Sequence, residues 1–313
     1  MNRGGGAGQP NLCAISVDLD EIPFYSQIHG LASQAEGSSH AVFDVALERL
    51  ETFAKKEGLP LTLFVIGSTL ERKENGDKLR ALADAGHELG NHTFGHRYDL
   101  TRLDAATMRS EIAFAQDAIE KATGRRPVGF RAPGYTVTDE LLGLVEHEGF
   151  LYDSSVFPCP VYWAAKATKI SAIRLRGRRS ESIVDTPRVL TAPQRPYRIG
   201  HPYWQKGGGL LELPVQVTRG LRLPFIGTSL TMAGPAVARE LAHMVAGEPL
   251  VNLELHGIDV LDAEDGLEHL VKHQPDVRIP HQRKLDVLSA VVDTLRTAGH
   301  RFVRLDEAAR AFA

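Results

Sequence analysis

His92 and His96 stand four residues apart in the stretch His87-Glu-Leu-Gly-Asn-His-Thr-Phe-Gly-His96. On a helical turn that spacing puts two imidazoles on one face, with about 5–6 Å between Cβ atoms, so both reach one metal ion. Taken alone, H-x-x-x-H is more often a pair of surface or core histidines. Two further motifs shift that balance. Asp18-Leu-Asp20 closes a strand-like run near the start of the chain, and Leu253-Glu-Leu-His256 closes another near its end. Position 93 is Thr, so the H-E-x-x-H of zinc proteases lacks its general base, and a carboxylate must come from elsewhere. Asp20 with the two imidazoles makes a 2-His-1-carboxylate set, which leaves positions open for water and a substrate oxygen. A divalent cation held there, Zn first with Co, Ni or Mn as alternatives, would bring the pKa of bound water towards about 7 and polarise a carbonyl.

The neighbouring polar residues complete a hydrolytic set. Asp18 lies two residues before Asp20 in an extended segment, so both carboxylates face one side, and one of them is free to act as base. Arg131 can pair with Asp18 and orient it. His256, placed at a strand end on the far side of the sheet, can protonate a leaving amine, with Asp153 as the partner that sets its tautomer.

The elements that position these groups follow from pattern. Leu12–Val17, Leu61–Ile66, a short run over 87–90, 128–131 and 150–155 read as strands. Helical periodicity covers 42–55, 77–85, 105–123 and 138–149, with glycines as stops. Residues 22–40 read as a loop. Alternating strands and helices predict a parallel α/β sheet, barrel-like or doubly wound, and each candidate residue falls just after a strand, where such folds collect reactive groups. From 158 to 208 the rhythm breaks. This stretch reads as an insertion beside the site mouth, with Tyr162, Trp163, Tyr197, Tyr203 and Trp204 placed to stack on a substrate or to pack locally. Strand character returns over 209–215 and 249–256, and helices cover 235–246 and 282–298. A closing strand (300–304) and a short terminal helix end the chain.

Composition bounds the function. The 313 residues are 43% hydrophobic and 24% charged, with a formal net charge of −3. That is ordinary globular composition, with no electrostatic case for nucleic acid or an anionic membrane. Arg174, Arg176, Arg178 and Arg179 are a local exception, read as a solvated loop or an anion clamp. Two cysteines fit a reducing compartment. With no signal-like h-region at the start and no apolar run near ~18 residues, the expectation is a cytoplasmic protein without a membrane span. Residues 1–11 are expected to form a disordered Gly-rich tail and 12–313 one domain.

Five motifs in order carry a resemblance: Ser16-Val-Asp18-Leu-Asp20, Asn91-His92-Thr-Phe-Gly-His96, Phe130-Arg131-Ala-Pro-Gly-Tyr135, Tyr152-Asp153-Ser-Ser and Leu253-Glu-Leu-His256. Together they resemble the polysaccharide deacetylase family (NodB homology, carbohydrate esterase 4). The likeness implies a distorted (β/α) barrel of about seven parallel strands and metal-dependent deacetylation of carbohydrates. It implies Asp20, His92 and His96 as metal ligands, Asp18 as base and His256 as acid, with Arg131 and Asp153 tuning those two. Departures are visible. The carboxylates of the first motif are separated by Leu19. Gly134 displaces the aromatic of the third motif, which leaves Gly134 and Tyr135 as alternative oxyanion donors. Phe157 is the nearest aromatic to a tryptophan expected after Asp153. The expected substrate is a small or lipid-linked N-acetylated sugar. The alternative is a non-sugar amide such as a formamide, cyclic imide or ureide, and oligomeric state stays open.

Overall fold

The computed structural model describes residues 11–29, 31, 39–175, 177 and 180–313. The chain starts with β1 (Leu12–Asp18), every residue of which is buried. Then come α1 (Ile22–Ile28), α2 (Leu47–Glu57), β2 (Leu61–Val65), α3 (Lys73–Asp84) and β3 (Glu88–Asn91). The next elements are α4 (Ala105–Thr123), β4 (Gly129–Phe130), α5 (Asp139–His147), β5 (Tyr152–Asp153), α6 (Pro160–Leu175), β6 (Tyr197–Ile199) and β7 (Lys206–Glu212). The chain closes with α7 (Gly227–Val245), β8 (Leu250–His256), α8 (His281–Thr297), β9 (Arg301–Phe302) and α9 (Leu305–Phe312).

The sheet runs β6-β7-β5-β4-β3-β2-β1-β8, with β9 also paired to β1. Every pairing is parallel except β6 with β7. The strands curl into a mostly parallel half-barrel, the expected class. Apolar side chains cover both faces of the central strands, as a parallel sheet requires. Outside, helices pack on Ile15, Val17, Leu61, Leu63 and Leu253. Inside, Ala14, Phe64, Tyr152 and Leu211 meet Leu305, Ala308 and Ala309 of α9, which fills one end of the barrel.

Differences from the expected elements have local causes. Residues 22–28 form α1, begun by Pro23 at its first turn. The span expected as helix over 42–55 opens with a π-helical turn, Val42–Ala46, before α2. Residues 160–175 form a helix where no periodicity was visible, because none of its residues is fully buried and the apolar stripe is faint. Apart from Asn11, whose carbonyl accepts from the Arg301 N–H at 2.9 Å, the expected tail lies outside the described residues, as do Arg176, Arg178 and Arg179.

Candidate metal centre and acid–base site

Parallel register levels the strand ends. Asp18 is opposite His256 across β1–β8 and opposite Phe64 across β1–β2. Val65 is opposite Asn91, Asn91 opposite Phe130, and Phe130 opposite Asp153. One layer at the C-terminal edge thus presents Asp18, His256, the approach to His92, Arg131 and Asp153. His256 is a direct neighbour of Asp18, which corrects its expected place on the far side of the sheet.

The histidine pair is not on a helix, contrary to the expectation from its spacing. After β3 the chain makes a tight loop in which Thr93 and His96 take positive φ, 64° and 51°. Such angles are uncommon for residues other than glycine and need support. The loop has it: Thr93 N–H donates to Asn91 Oδ1 at 2.8 Å, His96 N–H to Thr93 Oγ1 at 3.1 Å, and Gly95 N–H to Glu111 Oε2 of α4 at 2.7 Å. Loop curvature, rather than helical pitch, brings the two rings to 4.8 Å between centroids.

Asp20 meets both rings, its Oδ1 3.3 Å from His92 Nε2 and its Oδ2 3.2 Å from His96 Nε2. His92 Nδ1 lies 2.7 Å from the Arg131 carbonyl, which fixes the proton on Nδ1 and turns the Nε2 lone pair inward. All three residues are buried. Burial alone would raise the Asp20 pKa, but His96 and His92 outweigh it and hold the carboxylate well below its usual range. Asp20 Oδ1 and both ring nitrogens of His96 are buried without a hydrogen-bond partner among the described residues. One nitrogen from each imidazole and a carboxylate oxygen of Asp20 lie close enough together to form a donor set that fits one divalent cation. The unpaired buried atoms of Asp20 and His96 are what such a site leaves for it. Asp18, Glu254 and His256 also converge within ligand distance of one another, but Arg131 occupies Asp18, and this trio forms the acid–base half of the site.

Arg131 is fully buried, and four of its five N–H donors are engaged among the described residues. Its Nη1 donates to Asp18 Oδ1 at 2.6 Å, its Nη2 to Ser16 Oγ and Ser154 Oγ at 2.9 and 2.8 Å, and its Nε to the Ser154 carbonyl at 2.8 Å. Its guanidinium lies 4.2 Å above the Phe64 ring. That ring needs the empty side of Gly90, where a Cβ would come within 2.6 Å of it. The other oxygen of Asp18, Oδ2, is left facing His92 Nε2 at 3.7 Å.

Asp153 is not the partner of His256, which corrects that expectation. Its carboxylate accepts from Ser155 Oγ at 2.7 Å and Ser155 N–H at 3.1 Å and faces Glu212. Burial raises both acids, and the hydrogen bond between them lowers Asp153 again. The Asp153 charge adds to burial at Glu212 and lifts it well above the usual carboxylate range, so the shared proton stays on Glu212. Ser155 Oγ in turn accepts from the Ala132 N–H at 2.8 Å, so Asp153 positions the loop that carries Tyr135. Glu254 takes the place expected for Asp153, with Oε1 2.7 Å from His256 Nδ1. Burial would lower the His256 pKa, but Glu254, with Asp20 and Asp18, more than reverses this and holds the ring well above the ordinary imidazole range. Strand alternation was the available signal, since residues 254 and 256 share a face. Glu254→Gln is expected to lower kcat roughly 10–100-fold. It should also move the alkaline limb of the pH–rate profile to lower pH, because an imidazolium without its carboxylate loses its proton sooner. A limb that stays in place would reduce Glu254 to packing.

Gly134 and Tyr135 both take positive φ, 62° and 55°. The strained tyrosine is held by its ring, edge-on to His256 at 6.2 Å and to Phe157 at 5.5 Å. Of the two candidate oxyanion donors, the Tyr135 N–H is already engaged by the Ala132 carbonyl at 3.2 Å. Above them is a cavity of about 320 Å³, reached by Asp20, Tyr135 and His256 and walled by Tyr25, Tyr98 and Tyr162. Helix α6 of the insertion forms its roof, and Lys166 Nζ donates to the Gly134 carbonyl at 2.7 Å. Burial lowers the Lys166 pKa to about 8. Among the five aromatics considered for stacking, only Tyr162 reaches this cavity. Trp163 Nε1 donates to the Asp185 carbonyl, Tyr197 and Tyr203 are tied to each other, and Trp204 packs on Tyr203. Arg174 lines an adjoining polar cleft of about 1050 Å³ that shares Tyr98 and Ser182 with this cavity and is also lined by His96.

A curled parallel half-barrel with this buried carboxylate–imidazole cluster on its C-terminal edge has the NodB-like deacetylase fold. A polysaccharide deacetylase family model matches residues 43–152. A peptidoglycan deacetylase of Helicobacter pylori is 30% identical over 150 residues, 46% of this chain and 49% of that protein. A peptidoglycan deacetylase-like protein of Gibberella zeae is 36% identical over 153 residues, 45% and 43% of the two. The chain thus spans about half the length of the curated relatives it matches. The structure of a mutant of peptidoglycan deacetylase PdaC from Bacillus subtilis shares the fold, with a TM-score of 0.50 and 15% identity over 97% of this chain and 92% of that one.

Proposed function

We propose that this chain is a divalent-metal-dependent hydrolase that removes the N-acetyl group from a small amino sugar or glycan precursor. One observation carries the reading: Asp20, His92 and His96 converge on a common point beside Asp18 and His256. Zinc, or cobalt, nickel or manganese in its place, would be held by Asp20, His92 and His96 and would supply Lewis acidity for an amide carbonyl and for water. Asp18, oriented through Oδ1 by Arg131, uses Oδ2 to take the proton from the attacking water. His256, kept protonated by Glu254, delivers a proton to the departing nitrogen. The Gly134–Tyr135 turn faces the developing oxyanion, and the tyrosine wall excludes water.

A second reading, hydrolysis of a small non-sugar amide such as a formamide, cyclic imide or ureide, is favoured by the confined cavity of about 320 Å³, at the low end for ligand pockets. A cytoplasmic location is part of the proposal and is supported by two buried unpaired cysteines, Cys13 and Cys159. No helix among the described residues is long and apolar enough to cross a membrane.

Elemental analysis of purified protein is expected to find close to one zinc, cobalt, nickel or manganese per chain, and His92→Ala is expected to lose it. Acetate release from a panel of N-acetylated sugars supports the first reading. Turnover confined to imides or ureides supports the second, and a metal-replete protein that turns over neither class overturns both.

A further inference from the structure

The insertion helix α6 sets four side chains, Tyr162, Ala165, Lys166 and Lys169, along the cavity that holds Asp20 and His256. Their spacing of 0, 3, 4 and 7 is one helical stripe, so the face is directed at the site as a unit. Two of the four are lysines, in a cavity whose other walls are mainly tyrosines, isoleucines and uncharged polar residues. Their neighbours do not neutralise them. The Lys166 ammonium has three donors, and its one hydrogen bond among the described residues goes to the Gly134 carbonyl. The carboxylates nearest in effect are Asp185 and Asp276. Asp185 accepts from Tyr203 Oη at 2.8 Å, and Asp276 faces Lys284 at 3.5 Å. Each keeps at least one oxygen without a hydrogen bond, yet neither forms an ion pair with Lys166 or Lys169 among the described residues. A half-buried ammonium with spare donors at a cavity wall has the chemistry of an anion seat.

We infer that the substrate carries an anionic group, a carboxylate or a phosphate, which is received by Lys166 and Lys169 while its amide lies against Asp18 and His256. The inference rests on the amide-hydrolase reading of the site and narrows it. Lys166 also touches the loop beside the chemistry, because the carbonyl it holds belongs to the Gly134–Tyr135 peptide. Lys169 is the more exposed of the two and stands at the rim, where it meets the anion without touching the catalytic loop.

Calorimetric titration of the metal-replete full chain tests this without requiring turnover. Matched probes are N-acetylglucosamine against N-acetylmuramic acid (carboxylate), N-acetylglucosamine against its 6-phosphate, and N-acetylglycinamide against N-acetylglycine for a ligand that is not a sugar. In at least one pair the anionic member is expected to bind about tenfold more tightly or better, the scale of one charge-assisted hydrogen bond. Lys169→Met is expected to reduce that preference, and Lys166→Met with Lys169→Met to abolish it, while thermal midpoints stay near that of the parent protein. The pair that responds identifies carboxylate or phosphate. Equal binding of neutral and anionic members in all three pairs overturns the inference, as does a preference that survives the double change. Preferential anion binding with no acetate released would leave the seat standing and remove the deacetylase reading.

Discussion

Asp18→Asn is expected to cut kcat by roughly 10²–10⁴-fold, the usual contribution of a positioned general base, while cation content stays near that of the parent protein. The two halves of this expectation come from the division of labour at the strand end. Asp20 is the carboxylate that touches both imidazoles, at 3.3 and 3.2 Å. Asp18 is bound through one oxygen by Arg131 at 2.6 Å and keeps the other turned to the centre. An amide at position 18 is nearly isosteric and keeps an oxygen for the guanidinium, but it cannot accept a proton from water. Steady-state kinetics beside metal analysis decide the matter. Full activity would remove Asp18 from the base role, and loss of the cation together with activity would make it a ligand.

Arg131→Met is expected to cost about 3–5 kcal/mol of stability, the range for removing one partner from a buried ion pair. The side chain is completely enclosed, and its loss leaves the Asp18 carboxylate buried and uncompensated. The hydroxyls of Ser16 and Ser154 lose a donor at the same time, and Phe64 loses its stacked guanidinium. Urea unfolding is the measurement, read as a lower midpoint with an unchanged slope. Combining Arg131→Met with Asp18→Asn should recover much of the loss, because the stranded charge is then gone. A single change costing less than about 1 kcal/mol, the worth of an exposed pair, would show that the ion pair does not anchor the site.

The framework and the polar residues of the site were legible because they rest on strong periodic signals. Leu12–Val17 and Leu61–Ile66 read as strands from unbroken apolar runs, and the 19-residue α4 was bounded correctly by its apolar period and Gly124. What sequence could not give was geometry set by long-range contact. The interval between His92 and His96 is compatible with a helix, and it is the clamp from Glu111, on a helix that follows in sequence, together with the local bonds to Asn91 and Thr93, that makes it a loop. Asp153 was paired with His256 because both end strands. The sheet order instead puts β5 beside β4 and β7, and His256 finds its carboxylate two residues back on its own strand. Ser16, Ser154 and Asn252, which brace Arg131 directly or through Ser154, are small polar residues with no pattern of their own. Helix α6 escaped notice for the opposite reason: only Tyr162 and Trp163 pack on the core, both partly buried, and the rest of its length faces a cavity or solvent.

That weak attachment of α6 separates two properties that most folds bind together. The helix contributes wall to the reaction chamber but no fully buried side chain to the barrel beneath it. Exchanging its inward-facing residues should therefore redirect what the chamber accepts while the melting behaviour of the scaffold hardly changes. Evolution, or a designer, is given a replaceable cartridge for selectivity mounted on a fixed catalytic body.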